Sequence, residues 1–359
     1  MSEDNLVNKL VWDGKIPVCL NLAREEIAAS KSVPSPFYLL APRISYFPLI
    51  LDRAISYLLE YTEHASGDKP QRSKPNESKP TEVGVEASEQ LDASSKPCTG
   101  VSHECPPEHT VWLEYATQPL KWHYPIGLLF DLYASKSDLP WQITLHFQNY
   151  PLDILLNPPV NRKAVEVHFM NALKEADALK HRSQVMNQMQ AHDHRQLWSG
   201  LFNLQFEQFW GVNRRLMEPI NETHSTHRSD AEAKENNNQS DSSPSTTRAS
   251  RGFRAIPCRL YGVRTSSGNA LYVQKRLPPC TNQGEPLSLI EAVKHMLASE
   301  SEGAASTVVP KDYNFVLHGI RLPEETPIQW ISEHLAYADN FIHLVALPKE
   351  TQSANRPCA

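Results

Sequence analysis

Cysteine and histidine are the residue types in this 359-residue sequence that would first suggest metal or nucleophilic chemistry. One cluster contains Cys98, His103, Cys105 and His109, all of them residue types that bind zinc. Their spacing fits no usual zinc finger and the segment is rich in proline, so we expect no metal site and no cofactor. The sequence also lacks the common motifs of nucleotide-binding proteins, serine hydrolases and zinc proteases.

A cysteine hydrolase would need a thiol nucleophile next to a histidine base. Cys19 and Cys258 lie within predicted strands beside proline, which is more typical of small buried thiols. The six cysteines are scattered and include no CxxC pair, as expected for reduced thiols in the cytosol. A cysteine hydrolase remains a rival interpretation, testable by labelling with a thiol-reactive activity probe.

Composition and charge exclude several classes of protein. The chain has 35 basic and 41 acidic residues and a net charge of −6, which argues against a nucleic-acid partner. No run reaches the roughly 18 apolar residues of a membrane span, and the N-terminus lacks the regions of a signal peptide. We therefore expect a cytoplasmic protein.

Two polar segments with few aliphatic residues predict a disordered insert and a disordered linker. They divide the chain into an N-terminal helix (1–10), a first domain (11–157, with the insert at 64–108), a helix-rich domain (158–218), the linker (219–251), a second domain (252–348) and a tail (349–359).

The first domain is predicted to begin and end with strands, because apolar residues alternate from Ile16 to Leu22 and from Trp141 to Phe147. Between them the pattern predicts a helix from Ser45 to Tyr61 with Ser45 as its N-cap. A short strand at 119–122 and a short helix beginning at Pro125 follow.

The second domain repeats this order, with an amphipathic helix from Ser288 to Leu297. Matched segments occur in sequence: 256–260 with 16–20, 327–330 with 119–122, 334–337 with 130–133, and 341–347 with 141–147. One main helix between two hairpin-like halves is the order of the ubiquitin superfold. The sequence thus predicts an α+β protein in which two ubiquitin-like β-grasp domains, related by duplication, flank a helix-rich domain.

The helix-rich domain is predicted to begin with a helix that Asn161 caps, with Val165, Phe169 and Leu173 on its buried face. A second helical stretch from Asp193 to Met217 is expected to break at Asn203. It carries so many aromatic residues that we expect it to pack between the flanking domains.

Several motifs resemble the autophagy protein 5 family. They are Lys-Glu-Ala-Asp-Ala-Leu-Lys-His at 174–181 with Ser-Gln-Val at 183–185, Pro-Leu-Lys-Trp-His-Tyr-Pro-Ile-Gly at 119–127, Gln-Phe-Trp at 208–210, Trp12, Gly14 and Ile-Pro at 16–17, and Gln-Trp-Ile-Ser-Glu-His-Leu at 329–335. The resemblance covers the folded chain from end to end. The two polar segments depart from the shorter family pattern, which indicates a divergent member with long inserts.

The resemblance implies an adaptor rather than an enzyme. Members of the family are joined through a lysine to the C-terminal glycine of the ubiquitin-like autophagy protein 12 by dedicated activating and conjugating enzymes. The conjugate binds autophagy protein 16 and acts like a ubiquitin ligase, promoting transfer of autophagy protein 8 to phosphatidylethanolamine. The resemblance thus implies a cytoplasmic protein that is peripheral on the phospholipid preautophagosomal membrane.

Lys174, the first lysine of its motif, is the acceptor that the resemblance implies. Helix geometry agrees, because Lys174 lies about 160° from the centre of the predicted buried face, whereas Lys180 lies at its flank. A lysine amine ordinarily has a pKa of about 10.4 and attacks only when unprotonated. The conjugating enzyme is therefore expected to supply a base.

Four aromatic residues, Trp122, His123, Tyr124 and Trp210, are candidates for partner binding, because aromatic side chains concentrate at binding hot spots. The alternative is that they fill the seams between domains. A rival function also stays open: a non-conjugated ubiquitin-like docking module at membranes. A shifted conjugate band in cell lysates would separate the two functions.

Overall fold

The computed structural model describes residues 3–63, 110–159, 161–219, 253–264, 270–298 and 310–349. The predicted insert at 64–108 lies outside these residues. So do the predicted linker and the predicted tail, except for the first residue of each. A helix α1 (Glu3–Asp13) precedes the first sheet and extends three residues beyond the predicted end at residue 10.

The first ubiquitin-like domain contains one five-stranded sheet. Its elements are β1 (Lys15–Leu22), β2 (Phe37–Pro42), α2 (Asp52–Leu59), β3 (Trp112–Tyr115), β4 (Gln118–Pro119), α3 (Ile126–Tyr133) and β5 (Trp141–His146). The strand order is β2-β1-β5-β3-β4, with β1 antiparallel to β2 and parallel to β5. The predicted alternation in β1 places Ile16, Val18 and Leu20 in the core.

The second ubiquitin-like domain has the same architecture. Its elements are β6 (Ile256–Arg264), β7 (Ala270–Leu277), α8 (Leu289–Leu297), β8 (Tyr313–Leu317), β9 (Ile320–Arg321), α9 (Ile328–His334) and β10 (Ile342–Pro348). The strand order is β7-β6-β10-β8-β9, and β6 and β10 are parallel. Two sheets with the same order and pairing confirm the predicted pair of β-grasp domains.

The predicted helix from Ser45 to Tyr61 is wrong in its first part. The α-helix begins only at Asp52, after a short 3₁₀ turn that contains Pro48. Ser45 caps nothing; it is buried, and its carbonyl accepts a hydrogen bond from the Ile126 N–H at 2.9 Å. The proline and this long-range bond therefore delay the helix.

The predicted residue-by-residue correspondence between the two domains is wrong from the fourth strand of each domain onward. Strand β4 ends at Pro119, and residues 120–124 form a turn instead of the predicted strand at 119–122. Pro327 lies at the N-cap of α9 just as Pro125 lies at the N-cap of α3. Residues 327–330 therefore correspond to 125–128. The predicted match of 334–337 with 130–133 is wrong for the same reason. The last strands shift by one residue, because Val18 faces Trp141 and Cys258 faces Ile342.

The stretch of chain between the two ubiquitin-like domains is helical. They are α4 (Arg162–His181), α5 (Gln184–Gln188), α6 (Ala191–Phe202) and α7 (Phe206–Asn213), so the predicted break at Asn203 is confirmed. Their apolar core includes Phe169, Leu197 and Phe209 and continues into Trp12 of α1, Tyr46 of the first domain and Ala338 of the second. The aromatic residues of the bundle therefore pack between the flanking domains, as predicted.

A buried polar link joins the two ubiquitin-like domains directly. Asp131 on α3 accepts a hydrogen bond from Arg43 and, at 2.8 Å, another from the backbone N–H of Gly319 in the second domain. Leu128, on the same helix, belongs to the core of the second domain. The domains are thus held by shared apolar surface and by the hydrogen bond from Gly319 to a carboxylate that is itself paired with Arg43.

Candidate functional site

Helix α4 carries the predicted acceptor. The side chain of Asn161 accepts a hydrogen bond from the Ala164 N–H at 3.1 Å, which confirms the predicted N-cap. The helix then runs for 20 residues and buries Val165, Phe169 and Leu173 in the bundle core. A helix anchored along one whole face holds its outward side chains at fixed positions.

Lys174 lies on the outward face of α4 and is exposed, as helical periodicity predicted. The neighbours on its own face include Val167, Asn171 and Ala178, which carry no charge, and Asp177, whose carboxylate is paired with His181. In the parts of the chain that the structure describes, no carboxylate lies within ion-pair distance of the Lys174 amine. The amine is therefore accessible and has no competing carboxylate partner there.

Glu175, the next residue, faces the second domain. Its carboxylate accepts a hydrogen bond from Gln274 Nε2 at 2.5 Å and forms an ion pair with Arg259 at 3.4 Å. Helix α4 thus lies on the outer face of the second sheet at the position of Lys174. Sequence analysis missed Glu175, because its partners lie 84 and 99 residues further along the chain and no local pattern reports them.

Lys180, the second lysine of the motif, is buried and not merely at the flank of the buried face. Its amine lies 3.3 Å from Met217 Sδ and 4.6 Å from the centre of the Phe253 ring. Burial lowers the pKa of Lys180 to about 7, although Asp177 and other nearby carboxylates act in the opposite direction. An enzyme could not reach this amine without local unfolding, so Lys180 is a poor acceptor despite being easily deprotonated.

Three of the four predicted partner-binding residues lie together where the first domain meets α4. The Trp122 indole N–H donates to the carbonyls of Leu156 and Asn157, and its ring contacts His168 of α4. Burial lowers the pKa of His123 to about 3, with His168 adding to the effect. All three side chains are half-buried, as expected of residues that fill a seam.

Tyr124 extends this seam to the second domain. Its ring packs against Tyr261 at a centroid distance of 5.5 Å. Burial, followed by the neighbouring Tyr272, raises the pKa of Tyr124 to about 12. The hydroxyl therefore stays protonated at neutral pH.

Trp210 lies elsewhere, and no ring contact in the described residues joins it to the other three. It packs against Phe206 and Phe209 on α7, beside Trp12 of α1. A cleft between α1, α7 and the segment after α9 is lined by Trp210 and Val11. The four aromatic candidates thus divide into two separate surfaces.

The other chemistry considered from the sequence has little structural support. Cys19 and Cys258 are buried as predicted, and burial raises the pKa of Cys258 to about 12, which disfavours a nucleophilic thiolate. The cluster of Cys98, His103, Cys105 and His109 lies outside the described residues. Within those residues, no group of acidic, histidine or cysteine side chains could hold a metal, and no helix has the length and apolarity needed to span a bilayer.

These features define a protein with two ubiquitin-like β-grasp domains around a helical bundle that exposes Lys174 of the motif. Three family models match the chain: "Autophagy protein ATG5, UblA domain" at residues 11–76 and 89–147, "Autophagy protein ATG5, alpha-helical bundle region" at 162–219 and "Autophagy protein ATG5, UblB domain" at 255–346. The chain belongs to the autophagy protein 5 family and has a role in autophagy.

Similar proteins match almost the full chain. Autophagy protein 5 of Drosophila melanogaster is 34% identical over 96% of this chain and 97% of its own length. Autophagy-related protein 5 of Caenorhabditis elegans is 25% identical over 96% of this chain and 98% of its own length. The crystal structure of Kluyveromyces marxianus Atg5 has a TM-score of 0.60 at 18% identity, covering 96% of this chain and 100% of that one, which supports the shared fold.

Proposed function

We propose that this chain is the acceptor of the ubiquitin-like autophagy protein 12, which becomes joined to Lys174 through an isopeptide bond. The observation that carries the proposal is the exposed amine of Lys174 on the rigid helix α4, at the first position of the family motif. Lys180, the other lysine of that motif, is buried. Accessibility therefore strongly favours Lys174 over Lys180 as the acceptor.

In the proposed reaction, the Lys174 amine attacks the thioester that links the C-terminal glycine of autophagy protein 12 to a cysteine of the conjugating enzyme. A C–N bond forms, the C–S bond breaks, and the enzyme thiolate leaves. The proton lost by the amine passes to a base that the conjugating enzyme supplies, because the nearby carboxylates of Glu175 and Asp177 are already paired with Arg259 and His181. In this reaction the chain is a substrate and, afterwards, a non-catalytic subunit.

The conjugate is proposed to bind autophagy protein 16 and to promote transfer of autophagy protein 8 to phosphatidylethanolamine during autophagosome formation. In this proposal the chain acts in the cytoplasm and peripherally on the preautophagosomal membrane. Support for a helical partner comes from α1, where Leu6 and Leu10 are exposed one turn apart. Exposed apolar side chains one turn apart on a helix are suited to contact with an amphipathic partner helix.

The first experiment reconstitutes the wild-type chain and Lys174→Arg with the activating and conjugating enzymes, autophagy protein 12 and ATP. A heavier band on a denaturing gel is expected for wild type and not for Lys174→Arg, with both chains equally stable to heat. Lys163→Arg, an exposed lysine on the same helix, is the matched control and should conjugate normally. A band of unchanged yield from Lys174→Arg would refute the acceptor assignment, and no band from any variant would favour the unconjugated docking module.

A second experiment separates the two aromatic surfaces. Trp210→Glu is expected to weaken binding of autophagy protein 16 by at least about tenfold, because it places a charge in the apolar cleft. Trp122→Glu tests the seam at α4 in the same way, and Trp112→Glu on the outer face of the first sheet is the control. Calorimetry that gives the same affinity for Trp210→Glu as for wild type would count against the cleft.

A further inference from the structure

Strand β2 (Phe37–Pro42) forms one edge of the first sheet, and its side that faces away from β1 is unpaired. Pro17 of β1 has no N–H and lies opposite Leu40, so the ladder hydrogen bonds come from the alternate residues of β2, such as Leu39. The N–H and C=O groups of Tyr38 and Leu40 therefore point away from β1. No other backbone hydrogen bond in the described parts of the chain uses these groups.

The side chains along this edge are apolar and exposed. Tyr38 is 65% exposed and Leu40 is 63% exposed, and both lie on the face of the sheet that is turned away from the core. Strand β2 carries no charged residue. Edge strands are commonly protected from pairing with other chains by charged side chains, and β2 lacks this protection.

The corresponding edge of the second domain, β7, is protected. Leu40 lies opposite Pro17, and Arg276 lies opposite Pro257 at the equivalent position of the second sheet. Arg276 is exposed and charged, and Gln274, two residues before it, is hydrogen-bonded to α4. The two edges share a topology, but the β7 edge has an arginine where the β2 edge has a leucine.

The spacing of prolines around Leu39 makes the β2 edge self-complementary. Pro36 and Pro42 lie three residues before and after Leu39, and neither has an N–H. When two copies of β2 pair antiparallel about a two-fold axis at Leu39, Tyr38 of each copy faces Leu40 of the other. All the free N–H and C=O groups of these two residues are then bonded, and both prolines lie outside the paired stretch.

We propose that β2 is a homotypic pairing site, at which β2 of a second copy of this chain extends the first sheet across two molecules. Because neither strand is charged, no like charges on the paired strands meet at the two-fold axis. The cross-strand contacts between Tyr38 and Leu40 add aromatic–aliphatic packing. Lys174 lies on α4 and takes no part, so the pairing is independent of conjugation.

The paired stretch is short, and the dimer is therefore expected to be weak and favoured by high protein concentration. Stable protein interfaces bury at least about 1,200 Å², which is more than two exposed side chains and their backbone in each copy supply. The pairing is best tested by trapping it covalently and by weakening it selectively.

The first test uses two variants of the full chain, Tyr38→Cys and Leu40→Cys, with a size tag on one of them. Directly opposed residues have Cα atoms about 5.5 Å apart, which a disulfide spans, whereas two copies of position 38 lie about 7 to 8 Å apart on the diagonal. Under mild oxidation the mixture is expected to form the tagged–untagged disulfide dimer about fivefold faster than either variant alone. Mass spectrometry of the linked peptides verifies the bond between positions 38 and 40.

The matched control mixes Gln274→Cys with Arg276→Cys on the β7 edge, where no such excess is expected. Equal rates for the first mixture and for its two variants separately overturn the proposal. The same excess on the β7 edge also overturns it, because the reaction then reports exposure and not pairing.

The second test weakens the pairing with a charge. Leu40→Lys places two ammonium groups diagonally across the two-fold axis, whereas Leu40→Val keeps an apolar, strand-forming residue there. In sedimentation velocity at increasing concentration, wild type and Leu40→Val are expected to dimerise and Leu40→Lys to stay monomeric, with circular dichroism showing that all three are folded. Equal dimerisation of all three contradicts the proposal. If none dimerises and no mixed disulfide forms, the proposal is wrong and the edge is left to an extended segment of another protein.

Discussion

Replacement of Lys180 with methionine tests how a buried amine affects the stability of this fold. The amine is enclosed by Met217 and the Phe253 ring, and no carboxylate of the described residues lies within ion-pair distance of it. Methionine is also long and unbranched but carries no charge. The substitution therefore removes the free-energy cost of desolvating an ammonium group and retains most of the packing.

The magnitude follows from the lowered pKa. The pKa of Lys180 is about 7 in the folded chain and 10.5 for an ordinary lysine, so the unfolded chain binds more protons between these pH values. The free energy of unfolding therefore rises with pH across this window. The cost of burying the amine is about 4 kcal/mol at pH 7 and falls to about 1 to 2 kcal/mol near pH 9.5. Loss of the contact between the ammonium group and the Phe253 ring offsets about 1 to 2 kcal/mol of the gain at pH 7 and almost none near pH 9.5, where the folded amine is neutral.

Lys180→Met should thus be more stable than wild type by about 2 to 3 kcal/mol at pH 7 and by only about 1 to 2 kcal/mol near pH 9.5. Urea unfolding at both pH values measures the difference, provided that the denaturant slope is the same for both chains. Lys174→Met on the exposed face of α4 is the control and should change stability by less than about 0.5 kcal/mol. The reasoning is refuted if Lys180→Met is less stable at pH 7, or if the difference does not change with pH.

Three further substitutions test contacts between elements of the fold. In Gly200→Ala the new Cβ would lie 2.7 Å from the backbone nitrogen of Phe209, so the contact between α6 and α7 must open at a cost of about 1 to 3 kcal/mol in urea unfolding. Gly211→Ala, whose Cβ meets only the end of a side chain, should be neutral or stabilising, and equal effects would contradict this account. Asp131→Asn leaves the Arg43 guanidinium buried without its carboxylate partner and should cost about 3 to 5 kcal/mol in urea unfolding; a loss below about 1 kcal/mol would show that the Arg43–Asp131 pair is not needed for stability.

Elements with strong local signals could be predicted from the sequence. Asn161 caps α4, and Ser288 starts α8 with a reciprocal hydrogen bond to Glu291, because both caps are formed by residues close in the chain. The helix expected to begin at Ser45 failed for the opposite reason. The Ser45 carbonyl accepts a hydrogen bond from the N–H of Ile126, a residue too far along the chain for a local sequence pattern to indicate.

The candidate acceptor shows the same division. Helical periodicity correctly predicted that Lys174 faces outward, since the apolar face of α4 is visible in the sequence. Periodicity underestimated the burial of Lys180, because the groups that cover its amine come from Met217 and from Phe253 in the second domain. The aromatic composition likewise predicted a packed bundle. It did not indicate that Trp210 lies on a different surface from the aromatic residues where the first domain meets α4.

The pair of β-grasp domains and the exposure of the motif's first lysine follow from the order of elements along the chain and from spacing within one element. The family follows from the resemblance of its motifs. The contacts of Glu175 with the second domain and the enclosure of Lys180 are visible only in the tertiary structure. These features arise where three domains meet, and contacts between residues about 40 to 190 positions apart leave no periodic signal in the sequence.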